Sequence, residues 1–224
     1  NFPSPGAERA ALAQTLAEMA ANPGSGALLD YQPEAGLAAH RAAGAAWIGR
    51  HGWDVDPARV IVTAGAQHAI LTVFASLTRP GDRIVTEALS YQGIKPAITQ
   101  LGLRAEGLAM DEHGLIPEAC ERAARSGGIR ALYCMPTLHN PTTATLPEDR
   151  RQEIASIALR FGIAVVEDDI YGPFHEGPAM TPLAALAGEQ GYYLTSLSKT
   201  VAPGLRTGYV VAPAGRVENV STAV

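Results

Sequence analysis

The stretch SLSKTVAPGLRTGY, Ser196 to Tyr209, holds one of only two lysines in a chain whose other basic residues are all arginine. An unprotonated amine can add to a carbonyl carbon and form an imine, whereas a guanidinium stays protonated and cannot. Lys199 follows the apolar run YYLTSL and lies between Ser198 and Thr200, with Arg206 seven residues on. Ser196 and Ser198 can donate hydrogen bonds to an anion, and the forked donors of Arg206 match a phosphate. A solvated surface lysine is the alternative, and the two serines and the arginine weigh against it.

Four other short runs carry related chemistry. TAGAQHAI (63–70) passes from a strand through small residues into a helix. Such a start offers free N–H groups and a positive dipole end to an anion, or is a plain tight turn. It has neither the G-x-G-x-x-G spacing nor a P-loop lysine. In EALSYQG, Tyr91 is either an aromatic plate for a flat ligand or an ordinary half-buried tyrosine. In TLHNPTTA, Pro141 disfavours helical geometry at Asn140, so the pair marks a turn, or the Asn amide donates to a bound oxygen. EDDIY (167–171) sets three carboxylates at the end of an apolar strand, with Tyr171 three residues after Asp168. Burying them is costly unless something compensates; a metal site is one option, though no His/Cys cluster joins them.

Each of these runs follows an apolar, β-branched segment. Strands are predicted at 59–64, 82–87, 103–110, 129–135, 163–168, 191–197 and 207–212. Helical patterns fall between or before them: around 7–21, roughly 37–51 ending at Gly52, and from Pro147 as first helical residue. In the last, Ile154, Ile157, Ala158 and Phe161 form one apolar stripe and Gly162 stops the helix. The alternation predicts an α/β fold, a mostly parallel seven-stranded sheet covered by helices on both faces, with ligands at the carboxyl ends of the strands. A phosphate cradle, an aromatic plate, an amide donor, a carboxylate with a tyrosine and an imine-forming lysine at one sheet edge suit a single ligand, pyridoxal 5′-phosphate. An acid beside its pyridine nitrogen keeps the ring protonated, so that it can act as an electron sink. A lyase or aldolase using the lysine without a cofactor leaves HNP, EDDIY and Arg206 unexplained.

The gross numbers agree with a folded domain. The 224 residues are 47% hydrophobic and 17% charged, which excludes intrinsic disorder. No stretch approaches the roughly 20 apolar residues of a membrane span, and no basic flank leads into an apolar run near the N-terminus. A net charge of −5 without a basic cluster weighs against these residues gripping nucleic acid. Cys120 and Cys134, the only cysteines, read as small buried residues of a reduced, cytoplasmic protein.

TAGAQHA, HNPTTATLPEDRR, VVEDDIYGP and SLSKTVAPGLRTGY resemble, in order and from about residue 25 to 215, the aspartate-aminotransferase superfamily of pyridoxal-phosphate proteins (fold type I). The resemblance implies an N-terminal helix and dimer-contacting loop at 1–36, a cofactor-binding large domain at 37–215, and at 216–224 the start of a connection to a smaller C-terminal domain absent from these residues. It implies Lys199 as the catalytic Schiff-base lysine, and Asp168 rather than Asp169 as the pyridine-nitrogen partner, because the family spaces that Asp three residues before the Tyr. Tyr171 and Asn140 would hydrogen-bond the cofactor's phenolic oxygen, and Tyr91 would stack on its ring. Gly65, Ala66, Gln67, Ser196, Ser198 and Arg206 would hold the phosphate. Tyr31 would reach a phosphate across a homodimer interface. Ala66 stands where many relatives have Ser, which leaves only its backbone donor. The Arg that usually binds the substrate carboxylate belongs to the smaller domain. The wording LLDYQPEAGLAAHRAAGAAWIGRHG, GLIPEA and TLHNPTTATLPEDRR is most similar to the aminotransferase-like domain of MocR-type regulators, which fuse a GntR-class winged helix to this fold. The expected function is therefore the sensing of an amino acid or amine effector through Lys199, with DNA bound only by a domain outside these residues; a free-standing aminotransferase is the alternative.

Overall fold

A computed structural model describes residues 7–50 and 52–224. Residues 1–6 of the predicted segment 1–36, and His51 near the end of the second predicted helix, lie outside the described residues. The main sheet contains β1 (Val60–Thr63), β2 (Arg83–Glu87), β3 (Arg104–Leu108), β6 (Ile129–Cys134), β7 (Ala164–Asp168), β8 (Gly191–Ser196) and β9 (Gly208–Val211), in the order β1-β9-β8-β7-β6-β2-β3. All seven correspond to predicted strands. The run 103–110 is shorter than expected: β3 stops at Leu108, and a separate small hairpin follows, β4 (Met110–Asp111) with β5 (Gly114–Leu115). β9 is antiparallel to both its neighbours, while the other adjacent pairs are parallel.

The central strands are buried on both faces, which is why they read as continuous apolar runs. Successive side chains alternate between two layers. One layer packs Ile61, Ile84, Tyr133, Val166 and Leu194 under α3 (Ala66–Leu77), α4 (Ile94–Gln100) and Val220 of α8 (Val217–Ser221). The other packs Val85, Leu132, Cys134 and Val165 under α5 (Pro117–Arg125), α6 (Glu148–Phe161) and α7 (Leu183–Leu186). α2 (Ala38–Gly49) closes the β1 end against Val60, Val211 and Tyr193. Both cysteines are free and buried. The first helix, α1 (Ala7–Ala21), matches its predicted span and is exposed from Arg9 onward.

Two details of α6 differ from the sequence reading. Pro147 is the N-cap, with extended backbone (φ −69°, ψ 159°), so the helix begins at Glu148. Phe161 is 36% exposed, outside the core, and Arg160 sits over its ring at 5.1 Å. The buried stripe runs instead through Arg151, Ile154, Ala155, Ile157 and Ala158, and Gly162 ends the helix in the left-handed conformation (φ 64°).

The direction of β9 decides which loops reach the carboxyl edge of the sheet. Its first residue, Gly208, pairs with Thr63 at the end of β1 and with Ser196 at the end of β8. The start of β9 therefore meets the carboxyl ends of the other strands, and the loop before it is delivered to that same edge.

Candidate functional site

At the end of β1, Gly65 has φ +88° and N-caps α3 without any side-chain hydrogen bond to the helix. The first N–H groups of a helix have no intrahelical partner, so this uncapped start faces the sheet edge as a donor set. A Cβ on Gly65 would lie 2.7 Å from Nη2 of Arg206; only glycine lets the guanidinium approach. Arg206 itself donates from Nη2 to the Ala64 carbonyl at 3.1 Å. Gln67, in the first turn of α3, donates from Nε2 to the Tyr91 hydroxyl at 3.0 Å. A side chain at Gly93 would overlap both the Gln67 amide and the Tyr91 ring, so Gly93 permits that pair.

Beyond β6 the chain turns through a cis Asn140–Pro141 peptide. Asn140 and Tyr171 line a cavity of about 410 Å³ with Lys199, and Leu138, Pro141 and Phe174 contribute apolar wall. Three side chains separated by up to 59 residues thus converge on one space. Ser196 is buried at the end of β8, and its Oγ accepts from the Ser198 N–H at 3.4 Å. Lys95, the other lysine, is exposed.

Asp168 closes β7 with no exposed surface. Its Oδ2 accepts from the Tyr133 hydroxyl at 2.7 Å, while Oδ1 is buried without a hydrogen-bond partner. Burial pushes the carboxyl up to about 6, against the Tyr133 hydroxyl and the Ile170 N–H, which favour the anion. The Tyr171 hydroxyl is raised first by burial, then by Tyr91 and Asp168, so these three groups share one electrostatic neighbourhood. The strand alternation sends Glu167 and Asp169 to the opposite layer. There Asp169 accepts from the Tyr193 hydroxyl at 2.7 Å, and Glu167 accepts from the Ala184 N–H at 2.8 Å and lies 3.6 Å from Arg151. Tyr31 is fully exposed and supplies no wall to the Lys199 cavity.

Several residues here carry no mark in the sequence reading. Glu87 ends β2 as Asp168 ends β7; it is 3% exposed, accepts from the Met135 N–H at 2.8 Å, and burial pushes it up to about 8. An acid closing an apolar strand was the signal that singled out EDD, and it applies to Glu87 alone as well. His139, beside Asn140, bonds Thr142 through Nδ1 at 2.8 Å and places Nε2 3.8 Å from Glu87. Tyr133, on the strand next to Asp168, is the remaining omission; a polar end on a buried strand was its only cue.

An α/β layered sheet with an amine, an amide, a phenol and a buried acid at its carboxyl edge defines a class, and comparison with known proteins gives the family. The chain belongs to the aminotransferase class I and II family, whose profile matches residues 6–223. It is 33% identical over 177 residues to the uncharacterized HTH-type transcriptional regulator YdeF of Bacillus subtilis, covering 79% of this chain and 38% of that protein. It is 36% identical over 189 residues to the 2-aminoadipate transaminase of Thermus thermophilus, covering 82% of this chain and 46% of that enzyme. The crystal structure of LysN, the alpha-aminoadipate aminotransferase of Thermus thermophilus, superposes with a TM-score of 0.85 at 32% identity, over 99% of this chain and 56% of that one. That structure holds N-(5′-phosphopyridoxyl)-L-leucine. The chain thus spans about half the length of these relatives, or less. The cofactor that goes with this family is pyridoxal 5′-phosphate. Among the described residues, no helix is long and apolar enough to cross a membrane.

Proposed function

We propose that these residues bind pyridoxal 5′-phosphate at the carboxyl edge of the sheet, with Lys199 as its covalent anchor, and exchange it with the amino group of an amino acid or amine. The observation that carries this reading is the buried Oδ1 of Asp168, which lacks a partner on the layer shared by Tyr91 and Tyr171. A carboxylate held this way suits a pyridinium N–H, and a neutral ring nitrogen would leave it uncompensated. Arg206, the start of α3 at Gly65, Ala66 and Gln67, and the hydroxyls of Ser196 and Ser198 suit a phosphate. Tyr91 offers its face to the ring, and Asn140 and Tyr171 offer donors to the phenolic oxygen. When bound, the cofactor supplies an electron sink for charge developing at the substrate Cα. Lys199, once released by the incoming amine, is the base placed to take the Cα proton. Tyr31, exposed on the segment after α1, reaches the phosphate of a second copy in a homodimer.

The relatives include both transcriptional regulators and aminotransferases. We favour an effector-sensing role within a MocR-type regulator, and the 36% identity to a transaminase supports turnover as the second reading. One titration separates them. Amino acids and amines are added to the cofactor-loaded chain while visible absorbance is followed and 2-oxo acid is assayed. A spectral change without 2-oxo acid supports sensing; a change with stoichiometric or catalytic 2-oxo acid supports an aminotransferase. No change with any amine would remove both.

A further inference from the structure

The turn that carries Asn140 is strained on both sides. Leu138 and Thr143 hold the left-handed conformation, with φ of 47° and 63°, a region that glycine enters freely and a larger side chain does not. Among the described residues, Arg206 is the one other non-glycine residue in that region, and it too belongs to the edge that faces Lys199. Residues held this way persist only where their surroundings over-determine them.

His139 supplies much of that determination. Its N–H donates to the Ala144 carbonyl at 2.8 Å, and its carbonyl accepts from the Thr143 N–H at 2.6 Å. Its ring is 2% exposed. Nδ1 meets the Thr142 hydroxyl at 2.8 Å and accepts from the Thr142 N–H at 3.4 Å. A backbone N–H can only donate, so Nδ1 carries no proton and the ring hydrogen is on Nε2. Burial pulls the imidazole below its usual range, against the Leu89 carbonyl, which favours a proton on the ring. The ring is therefore neutral at pH 7. Nε2 lies 3.8 Å from Glu87 Oε2, too far for a hydrogen bond, and burial pushes Glu87 up to about 8, so no ion pair holds that side. The grip on the turn is through Nδ1. On the other flank, the Leu138 N–H donates to Thr145 Oγ1 at a longer 3.2 Å.

We propose that His139 is the positioning residue for Asn140: by accepting at Nδ1 from Thr142 it fixes the 138–143 turn, and so turns the Asn140 amide toward the cavity it shares with Lys199. The inference rests on the cofactor reading above, in which Asn140 donates to the phenolic oxygen.

The variants are His139→Leu, His139→Gln and His139→Asn. All are uncharged, as the neutral ring is, and Glu87 and Asp168 stay in each. An Asn oxygen falls near the place of Nδ1 and can accept from Thr142; a Gln oxygen falls near the place of Nε2 and cannot. The imine absorbance band of the loaded chain is titrated with pH. A donor to the phenolic oxygen draws off its negative charge and loosens the proton on the imine nitrogen, so losing that donor raises the midpoint. His139→Leu and His139→Gln should raise it by about one pH unit, the worth of one hydrogen bond to a charged oxygen, and His139→Asn should stay near the parent. Thr142→Val, at an exposed position where folding is spared, should move it the same way by less. In the cofactor-free chain, 15N NMR should show a bare Nδ1 and a protonated Nε2. There the Asn140 side-chain amide signal should shift or broaden in the Leu and Gln variants but not in the Asn variant. A parent chain without an imine band sinks the cofactor reading and leaves the NMR arm to judge the turn. The proposal is overturned if Nδ1 is protonated, if His139→Asn behaves as His139→Leu does, or if the correctly folded Leu and Gln variants keep the parent's Asn140 signal or its imine midpoint.

Discussion

Replacing Asp168 with Asn keeps the shape of the side chain and an oxygen to accept from Tyr133, but removes the charge. In the cofactor-free chain this should stabilise the fold, and the magnitude follows from the site. Burial moves the carboxyl from an ordinary 3.8 to about 6. Because the folded value lies above the unfolded one, the folded state holds the proton more tightly, and stability falls as pH rises between those two values. A rise of about 2 pH units at about 1.4 kcal/mol each corresponds to a penalty of about 3 kcal/mol once the group is ionised in both states. The variant should therefore match the parent below pH 4 and exceed it by about 3 kcal/mol at pH 8, read from urea unfolding midpoints with unchanged slopes. With pyridoxal 5′-phosphate bound, the sign should reverse: Asp168→Asn should lose cofactor more readily than the parent, and more readily than Asp169→Asn, whose side chain faces the other layer. A variant with the same stability difference at pH 4 and pH 8 would refute the ionised-acid account. Equal cofactor retention by the two Asn variants would refute the choice of Asp168.

Lys199→Ala should abolish the imine absorbance band of the loaded chain while leaving noncovalently held cofactor detectable by mass spectrometry after gentle desalting. Gly65→Ala should cost about 1–2 kcal/mol in unfolding free energy, from its positive φ and the contact of a new Cβ with Arg206, and should raise the Kd for the cofactor's phosphate; an Ala variant of full stability would show that the close approach is not needed. Arg151→Met should destabilise by about 3–5 kcal/mol, because the Leu146 and Pro136 carbonyls and Glu167 would lose a buried cationic partner; thermal unfolding measures it.

The strands were readable because each buries both faces and so writes itself as an apolar, β-branched run. That Asp168 and Asp169 face opposite layers was readable too, from the period of two; the preference for Asp168 came from the resemblance alone, through its spacing to Tyr171. Other features depend on contacts that a local pattern does not encode. Arg151 looks like one of several charges on α6, and it is buried only because two carbonyls from the 136–146 segment converge on its guanidinium. Phe161 fits the helical stripe by number, but it falls at the last residue of α6, where the sheet no longer covers it. The reversed direction of β9 is likewise invisible in its sequence, yet it is what carries Arg206 to Gly65.

The buried acids give the two layers a common logic. Asp168 and Asp169 are each pushed up to about 6, in both cases chiefly by burial and each against a tyrosine hydroxyl that favours the anion; the Ile170 N–H also favours the Asp168 anion, and the Arg151 guanidinium and Thr137 hydroxyl favour that of Asp169. Keeping such a group ionised costs the fold stability that a cationic partner on the open oxygen can offset, and a ligand that binds only the folded state contributes that offset as affinity. For Asp168 the family's pyridine ring nitrogen is a natural partner. Asp169, one residue later and on the opposite face, has its cation within the fold, since the Arg151 guanidinium favours its anion alongside the Thr137 hydroxyl. A cation that comes with a ligand is therefore called for at Asp168 and not at Asp169, because only the second of these aspartates has a guanidinium among the groups favouring its anion.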